Sequence, residues 1–269
     1  MTPPILKTKN LCQKSGNNYL FKNIDWEISS GENWLLYGET GCGKTSLLST
    51  IAGLNVPSSG EIYFCGEQYT AENISHIKKQ ISLVSGSFFD NIFRRETALE
   101  IILSGINGGF SVPYEVSAAD IRHAKGLLTK LRMPEIINHP YDLLSKGQKE
   151  CTLLARGFMH KPKLLIFDEP TAGLDLLLRA QIINTISKLC ADQTISIVFV
   201  THDAAEISTD FEQCLIMRHG QIYERGLTAE ILNEDFFCRY FQHKMHFSWA
   251  NNSCASIQIP ITSSEQLIF

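Results

Sequence analysis

The sequence predicts an α/β protein with a mixed parallel sheet at its core, an antiparallel β subdomain and an inserted α-helical subdomain. Three observations predict it. The apolar run Asn33-Trp-Leu-Leu-Tyr37 passes at once into a glycine-rich loop and a helix-like segment from Ser46 to Gly53. Lys163-Leu-Leu-Ile-Phe167 and Ile195-Ser-Ile-Val-Phe-Val200 are short and apolar, as buried parallel strands are, and a helical stretch from Arg179 to Leu189 joins them into a βαβ unit. Between them and the loop, apolar residues recur at helical spacing from Thr97 to Phe158.

Each element follows in order. Residues 5 to 36 read as β structure. Tyr19 to Ile28 nearly alternates apolar and polar, and Ser29-Ser-Gly31 marks a turn. Pro57-Ser-Ser-Gly60 is a second turn, followed by the strand-like runs Glu61 to Phe64 and Gln80 to Val84. The helical insertion, about 87–160, rests on Leu99, Ile102, Leu103 and Ile106 and on Leu127, Leu128 and Leu131. One catalytic unit is expected over residues 1–232. The tail, 233–269, has weak periodicity and receives no assignment.

Composition narrows the function classes. The 269 residues are 44% hydrophobic and 19% charged, ordinary for a globular chain with a sizeable core. Lys and Arg number 24 against 28 Asp and Glu, a net charge of −4, which gives no electrostatic footprint for nucleic acid. No apolar run approaches the roughly 20 residues that cross a bilayer, and Met1 to Asn10 lacks a signal-peptide core. The eight cysteines are scattered without a CxxC, which suits neither a zinc site nor a disulfide framework. The chain reads as a reduced, cytoplasmic protein.

Gly38, Glu39, Thr40, Gly41, Cys42, Gly43, Lys44 and Thr45 match G-x-x-x-x-G-K-[ST] at every fixed position, between a strand and a helix. Such a loop curls its backbone N–H groups around phosphate oxygens, and the helix beginning at Ser46 adds its positive end. Lys44 is expected to reach the β and γ phosphates and Thr45 to coordinate Mg²⁺. Cys42 reads as a small residue whose oxidation would block phosphate entry.

Asp168 and Glu169 end the run Leu164-Leu-Ile-Phe167. Ligands sit at the carboxyl ends of such strands, so Asp168 is expected to hold Mg²⁺ and Glu169 to orient the attacking water. Two acids after an apolar run also suit a solvated turn. Leu144-Ser-Lys-Gly-Gln148 decides between them: Ser145 and Gly147 stand ahead of a helix read from Gln148 to Phe158, a second anion-binding terminus.

Together these segments resemble the ATP-binding subunit of ABC transporters, and so a P-loop NTPase core. The phosphate loop is GETGCGKT, the signature LSKGQ (usually LSGGQ), the Walker B strand LLIFDEP, the D-loop AGLD ending in Asp175, and the switch histidine His202 in VTHD. They fall in family order across about residues 5 to 232. The resemblance implies a homodimer of cassettes with two ATP molecules between the chains. Ser145 and Gly147 then contact the γ-phosphate on the partner's loop, and His202 contacts it within its own subunit. Transmembrane permease subunits are implied as partners, on the inner face of the cell membrane. The alternative, a non-transport ATPase on ribosomes or DNA, fits less well. Translation-type members carry two cassettes, and the stretch from Lys44 to Asp168 is too short for the coiled coil of DNA-repair members. The segment Glu96-Thr-Ala-Leu-Glu-Ile-Ile-Leu-Ser-Gly105 is similar to TVLEVVLSG of cassettes for metal chelates and oxyanions, which implies an importer of that type.

The chain departs from the family at three places. The strand that usually ends in a glutamine reads Ile81-Ser-Leu-Val-Ser85-Gly86, so the glutamine column falls on Gly86. Either Ser85, Ser87 or Asp90 supplies an oxygen, Ser85 being nearest the strand end, or nothing does and Gly86→Gln raises activity. The base-stacking aromatic column falls near Ser15, and Tyr19, the nearest candidate, reads as a strand residue facing the core. His243 and His246 fit one helix face but lack a third ligand, so no metal site is expected there.

Overall fold

The computed structural model describes residues 3–250 and 254–258. Strands β1 (Leu6–Ser15), β2 (Asn18–Ile24) and β3 (Glu27–Ile28) open the chain, with β1 pairing antiparallel to both others. β4 (Asn33–Tyr37) leaves for the core and runs through the glycine loop into α1 (Lys44–Ile51). β5 (Ser59–Phe64) and β6 (Glu67–Gln68) return to complete the antiparallel sheet, in the order β2-β1-β5-β6. α2 (Ile74–Lys78) leads to β7 (Ile81–Val84), after which the chain is helical: α3 (Gly86–Phe89), α4 (Ala98–Ser104), α5 (Ala118–Lys130) and α6 (Lys146–Gly157).

β8 (Leu164–Asp168), α7 (Leu176–Cys190) and β9 (Ser196–Thr201) form the expected βαβ unit. A hairpin of β10 (Gln213–Arg218) and β11 (Gln221–Leu227) follows, then α8 (Thr228–Ile231), α9 (Glu234–Phe241) and a hairpin of β12 (His246–Ala250) and β13 (Cys254–Gln258). The core sheet has the order β11-β10-β4-β9-β8-β7, parallel from β10 to β7 with β11 antiparallel at the edge. Every residue of β8 and β9 is buried, because helices cover both faces of a parallel sheet. The edge strand β11 alternates between exposed and half-buried, since only one of its faces is packed.

Register brings the functional segments to one end of this sheet. Tyr37 pairs with Thr201, Val200 with Asp168, and Phe167 with Val84. The residues that follow each strand, the glycine loop, Glu169, His202 and Ser85, therefore emerge side by side at the carboxyl ends.

The element boundaries differ from expectation where caps decide them. α6 begins at Lys146 rather than Gln148, because Ser145 and Gln148 form a reciprocal capping box; Gly147 thus lies inside the first turn, not ahead of it. α7 begins at Leu176 rather than Arg179, with the Asp175 carboxylate accepting from the Leu178 N–H at 3.0 Å. The strand read over Tyr19 to Ile28 breaks after Ile24. The tail is ordered as far as it is described. Phe236, Phe237 and Tyr240 of α9 are buried, with the Phe237 ring 5.9 Å from that of Tyr37. The Ala255 N–H donates to Ile207 O at 3.0 Å. α9 ends at Phe241, so His243 and His246 share no helix face.

Candidate active site

The glycine loop closes over its own lysine. Gly43 has φ +100°, and a Cβ there would lie less than 3.0 Å from Leu20 O, so only glycine allows this approach to β2. The buried Lys44 ammonium donates to Gly38 O at 2.7 Å and Glu39 O at 3.1 Å. Residues Glu39, Thr40, Gly41, Cys42, Gly43, Lys44, Thr45 and Ser46 line a cavity of about 670 Å³ together with Ser87, Glu169, Tyr19 and His219. Burial pushes the Cys42 thiol above its ordinary range, partly opposed by Lys44, so the cysteine stays a neutral packing group.

Asp168, the last residue of β8, is 3% exposed. Its Oδ2 accepts from the Ser85 hydroxyl at 2.8 Å, while its Oδ1 is buried without a partner. Burial raises its pKa, and the neighbouring Thr45 and Ser85 hydroxyls pull the other way. An orphaned carboxylate oxygen beside a threonine hydroxyl is a hard oxygen donor set, and these residues fit Mg²⁺.

Glu169 adopts φ +52°, in the left-handed region that non-glycine residues seldom occupy, and its N–H donates to Val200 O at 3.1 Å. The turn aims its carboxylate back over the loop. One oxygen lies 3.6 Å from Lys44 Nζ and the other 3.1 Å from His202 Nδ1. Lys44, Glu169 and His202, predicted from separate motifs, are thus brought to one point. Asp203, beside the histidine, forms an ion pair with Arg179 of α7 that fixes the base of this loop.

Ser145, Gly147 and Asp175 do not line the cavity: Ser145 and Asp175 are exposed, and all three sit at the starts of α6 and α7. The three candidates at the glutamine column separate cleanly. Ser85 is fully buried on Asp168, and Ser87 Oγ lies 3.2 Å from Ser85 Oγ and lines the cavity. Asp90 turns to solvent, 3.5 Å from Lys149 Nζ. A Cβ at 86 would lie less than 3.0 Å from Glu150 Oε1, the free end of a side chain, so Gly86→Gln requires the Glu150 carboxyl to move aside.

Tyr19 does not face the core. It is 51% exposed, lines the cavity, and carries Lys14 Nζ 4.6 Å from its ring centroid. The first three residues of its strand, Asn18 to Leu20, are all exposed, and the core-facing residues of that strand are Phe21 and Ile24 instead. Two further residues escaped the sequence reading. Tyr240 of α9 accepts from the Glu39 N–H at 3.2 Å and donates to Met217 O at 3.0 Å, anchoring the entry to the loop. Glu150 is a carboxylate in a helix whose following residues to Gly157 are all buried, and that contrast was its only signal.

Comparison with known proteins follows the same lines. The family model for the ABC transporter matches residues 21–172. The uncharacterized ABC transporter ATP-binding protein YlmA of Bacillus subtilis is 33% identical, over 91% of this chain and 94% of its own length. The Fe(3+) ions import ATP-binding protein FbpC of Vibrio cholerae is 33% identical, over 83% of this chain and 61% of its own length. The spermidine/putrescine import ATP-binding protein PotA of Spiroplasma citri is 31% identical, over 87% of this chain and 65% of its own length. Among solved structures, the dimeric post-hydrolysis cassette MJ0796 with ADP and Pi has a TM-score of 0.71 at 26% identity, over 82% of this chain and 98% of that one.

Proposed function

The chain belongs to the ABC transporter family as an ATP-binding subunit, and from that premise we propose that it hydrolyses ATP between two copies of itself to drive a permease. The observation that carries the proposal is the meeting of Lys44, Glu169 and His202 over the phosphate loop. Backbone N–H groups of residues 41–46 and the start of α1 bind the phosphates, and Lys44 adds a point charge on the β and γ groups. Mg²⁺ held by Thr45 and Asp168 would neutralise charge on the same phosphates. Glu169 accepts a hydrogen bond from the attacking water and aims it at the γ-phosphate. His202, with its Nδ1 3.1 Å from Glu169, fixes the carboxylate's direction and would contact the γ-phosphate beside it. Tyr19 offers an exposed ring at the cavity mouth for the adenine to stack on. Ser145, Gly147 and Asp175 serve the partner's nucleotide.

Glu169→Gln tests the hydrolytic role. Turnover is lost while fluorescent-ATP affinity persists, and the variant accumulates as an ATP-bound dimer in size-exclusion chromatography. Hydrolysis at the wild-type rate rules out the role.

For the cargo we propose a metal chelate or oxyanion, imported. Support comes from the segment Thr97–Gly105 and from the Fe(3+) importer relative; the spermidine/putrescine relative, at nearly the same identity, supports a polyamine instead. Both are decided by measuring ATPase stimulation of the assembled transporter by ferric chelate, oxyanion and spermidine. Stimulation by spermidine alone overturns the proposal.

A further inference from the structure

Gly86 is not a glycine for conformational reasons. It opens α3 without a positive φ, so its backbone suits any L-residue. What stands in the way of a side chain is the Glu150 carboxyl: the Cβ position at 86 lies less than 3.0 Å from Glu150 Oε1 and 3.4 Å from Glu150 Cδ, so a side chain there requires that carboxyl to shift. The carboxyl of Glu150 fills the volume in which a residue at 86 would begin.

That carboxyl is itself unusual. Glu150 is 3% exposed and its Oε2 is buried without a partner. An unpartnered buried carboxyl costs stability, and the apolar Met would fill a similar volume without that cost. Burial drives its pKa up to about 8, with Asp90 and Asp168 adding to the rise and Lys146 opposing it. Two consecutive links lead from it to the metal site. Gly86 is bonded to Ser85, and the Ser85 hydroxyl donates to Asp168 Oδ2 at 2.8 Å. At its other end Glu150 is fixed to α6, the helix capped by Ser145 and containing Gly147.

We propose that Glu150 and Gly86 are a matched pair in which the Glu150 carboxyl, carried on α6, stands in for the side chain absent at 86 and holds Ser85 on Asp168. Glu150 is thus a positioning residue acting through Ser85. It ties the helix that faces the partner's nucleotide to the strand end that holds this chain's own metal site. The inference rests on the hydrolytic reading above.

The test uses the full chain and six variants: Glu150→Ala, Glu150→Gln, Gly86→Ala, the double variant Gly86→Ala/Glu150→Ala, Ser85→Ala and the double variant Ser85→Ala/Glu150→Ala. Steady-state ATPase gives kcat and KM. The rise in melting temperature on adding ATP with and without Mg²⁺ gives a readout independent of turnover. Glu150→Ala is expected to lower kcat roughly tenfold with little change in KM for ATP, and to shrink the Mg²⁺-dependent part of the thermal shift. Glu150→Gln, of the same shape, recovers most of the lost kcat. Gly86→Ala alone is expected to lower both kcat and melting temperature, and the double variant to exceed it in both. In a Ser85→Ala background, Glu150→Ala is expected to have no further effect on kcat. Additive effects of the two substitutions at 86 and 150, or an undiminished Glu150→Ala effect without Ser85, overturn the proposal. If Gly86→Ala is too unstable to purify, the Ser85 background decides alone. A Glu169→Gln variant that retains turnover defeats the hydrolytic reading instead, so the two failures are distinguishable.

Discussion

Asp168 keeps one carboxylate oxygen on Ser85 and leaves the other unpartnered in a buried wall. Ser85→Ala removes the donor without changing the phosphate loop. It is expected to lower kcat about tenfold, about 1.4 kcal/mol of barrier, with ATP affinity unchanged; steady-state kinetics beside a fluorescent-nucleotide titration checks both halves. Glu150 carries a pH signature. Its pKa, pushed from 4.5 up to about 8 by burial and by Asp90 and Asp168 against Lys146, is higher folded than unfolded. For an acid this means the unfolded chain releases the proton first. The group's favourable term is complete below about pH 4.5 and fades as pH climbs towards 8. The melting temperature of wild type is therefore expected to fall relative to Glu150→Gln between pH 5 and 8. Parallel curves would mean that Glu150 is ionised throughout. Sequence alone pointed to Lys44, Asp168, Glu169 and His202, because the roles proposed for them demand fixed residue types at fixed offsets from glycines and strand ends. Glu150 was hidden: an acid one turn into a helix reads as a solvated face, and only the packing of α6 on Gly86 shows otherwise.

Elements were legible where periodicity is dense and illegible where caps or aromatics decide. The largely apolar strands β8 and β9 could be read directly, but the starts of α6 and α7 could not: the first turn of α6 is polar and exposed or half-buried, and Leu176 and Leu177 at the start of α7 face solvent, outside any core-facing period. α9 escaped for another reason. Its Phe236, Phe237 and Tyr240 form a buried face within a helix of eight residues, too few turns for a period to stand out. Tyr240 gives this element a consequence at the site, since its hydroxyl joins the Glu39 N–H to Met217 O. Tyr240→Phe keeps the ring against Phe236 and strands both backbone groups. Loss of about 1–2 kcal/mol in denaturant unfolding is expected, together with weaker nucleotide binding from a looser loop entry. An unaltered nucleotide affinity would confine Tyr240 to packing.

One chain holds its phosphate loop, Asp168 and Glu169 at one end of its core sheet, but its Ser145, Gly147 and Asp175 lie outside that cavity. Next to Asp175, Leu176 and Leu177 are 84% and 70% exposed, an apolar surface that a second copy would cover. If each nucleotide is completed by the partner's Ser145 and Gly147, defects in the two halves of the site must complement. Lys44→Ala spoils a chain's own phosphate loop and leaves its signature helix intact. Ser145→Arg does the reverse, placing a bulky side chain where the partner's phosphate would sit while its own loop still binds ATP. Each variant alone is expected to be inactive. In a mixed dimer, the loop of the Ser145→Arg chain meets the intact signature of the Lys44→Ala chain, which restores one complete site and leaves the other doubly defective. With random pairing, half the dimers are mixed and each has one working site, so an equal mixture is expected to recover on the order of a quarter of wild-type activity if the sites act independently. The recovered rate should peak at equal proportions and fall on either side. No recovery at any ratio, while both variants still form dimers, would mean that each site is completed within its own chain or that both must fire together; a mixture of Lys44→Ala with wild type separates these, since only the second abolishes turnover in its mixed dimers.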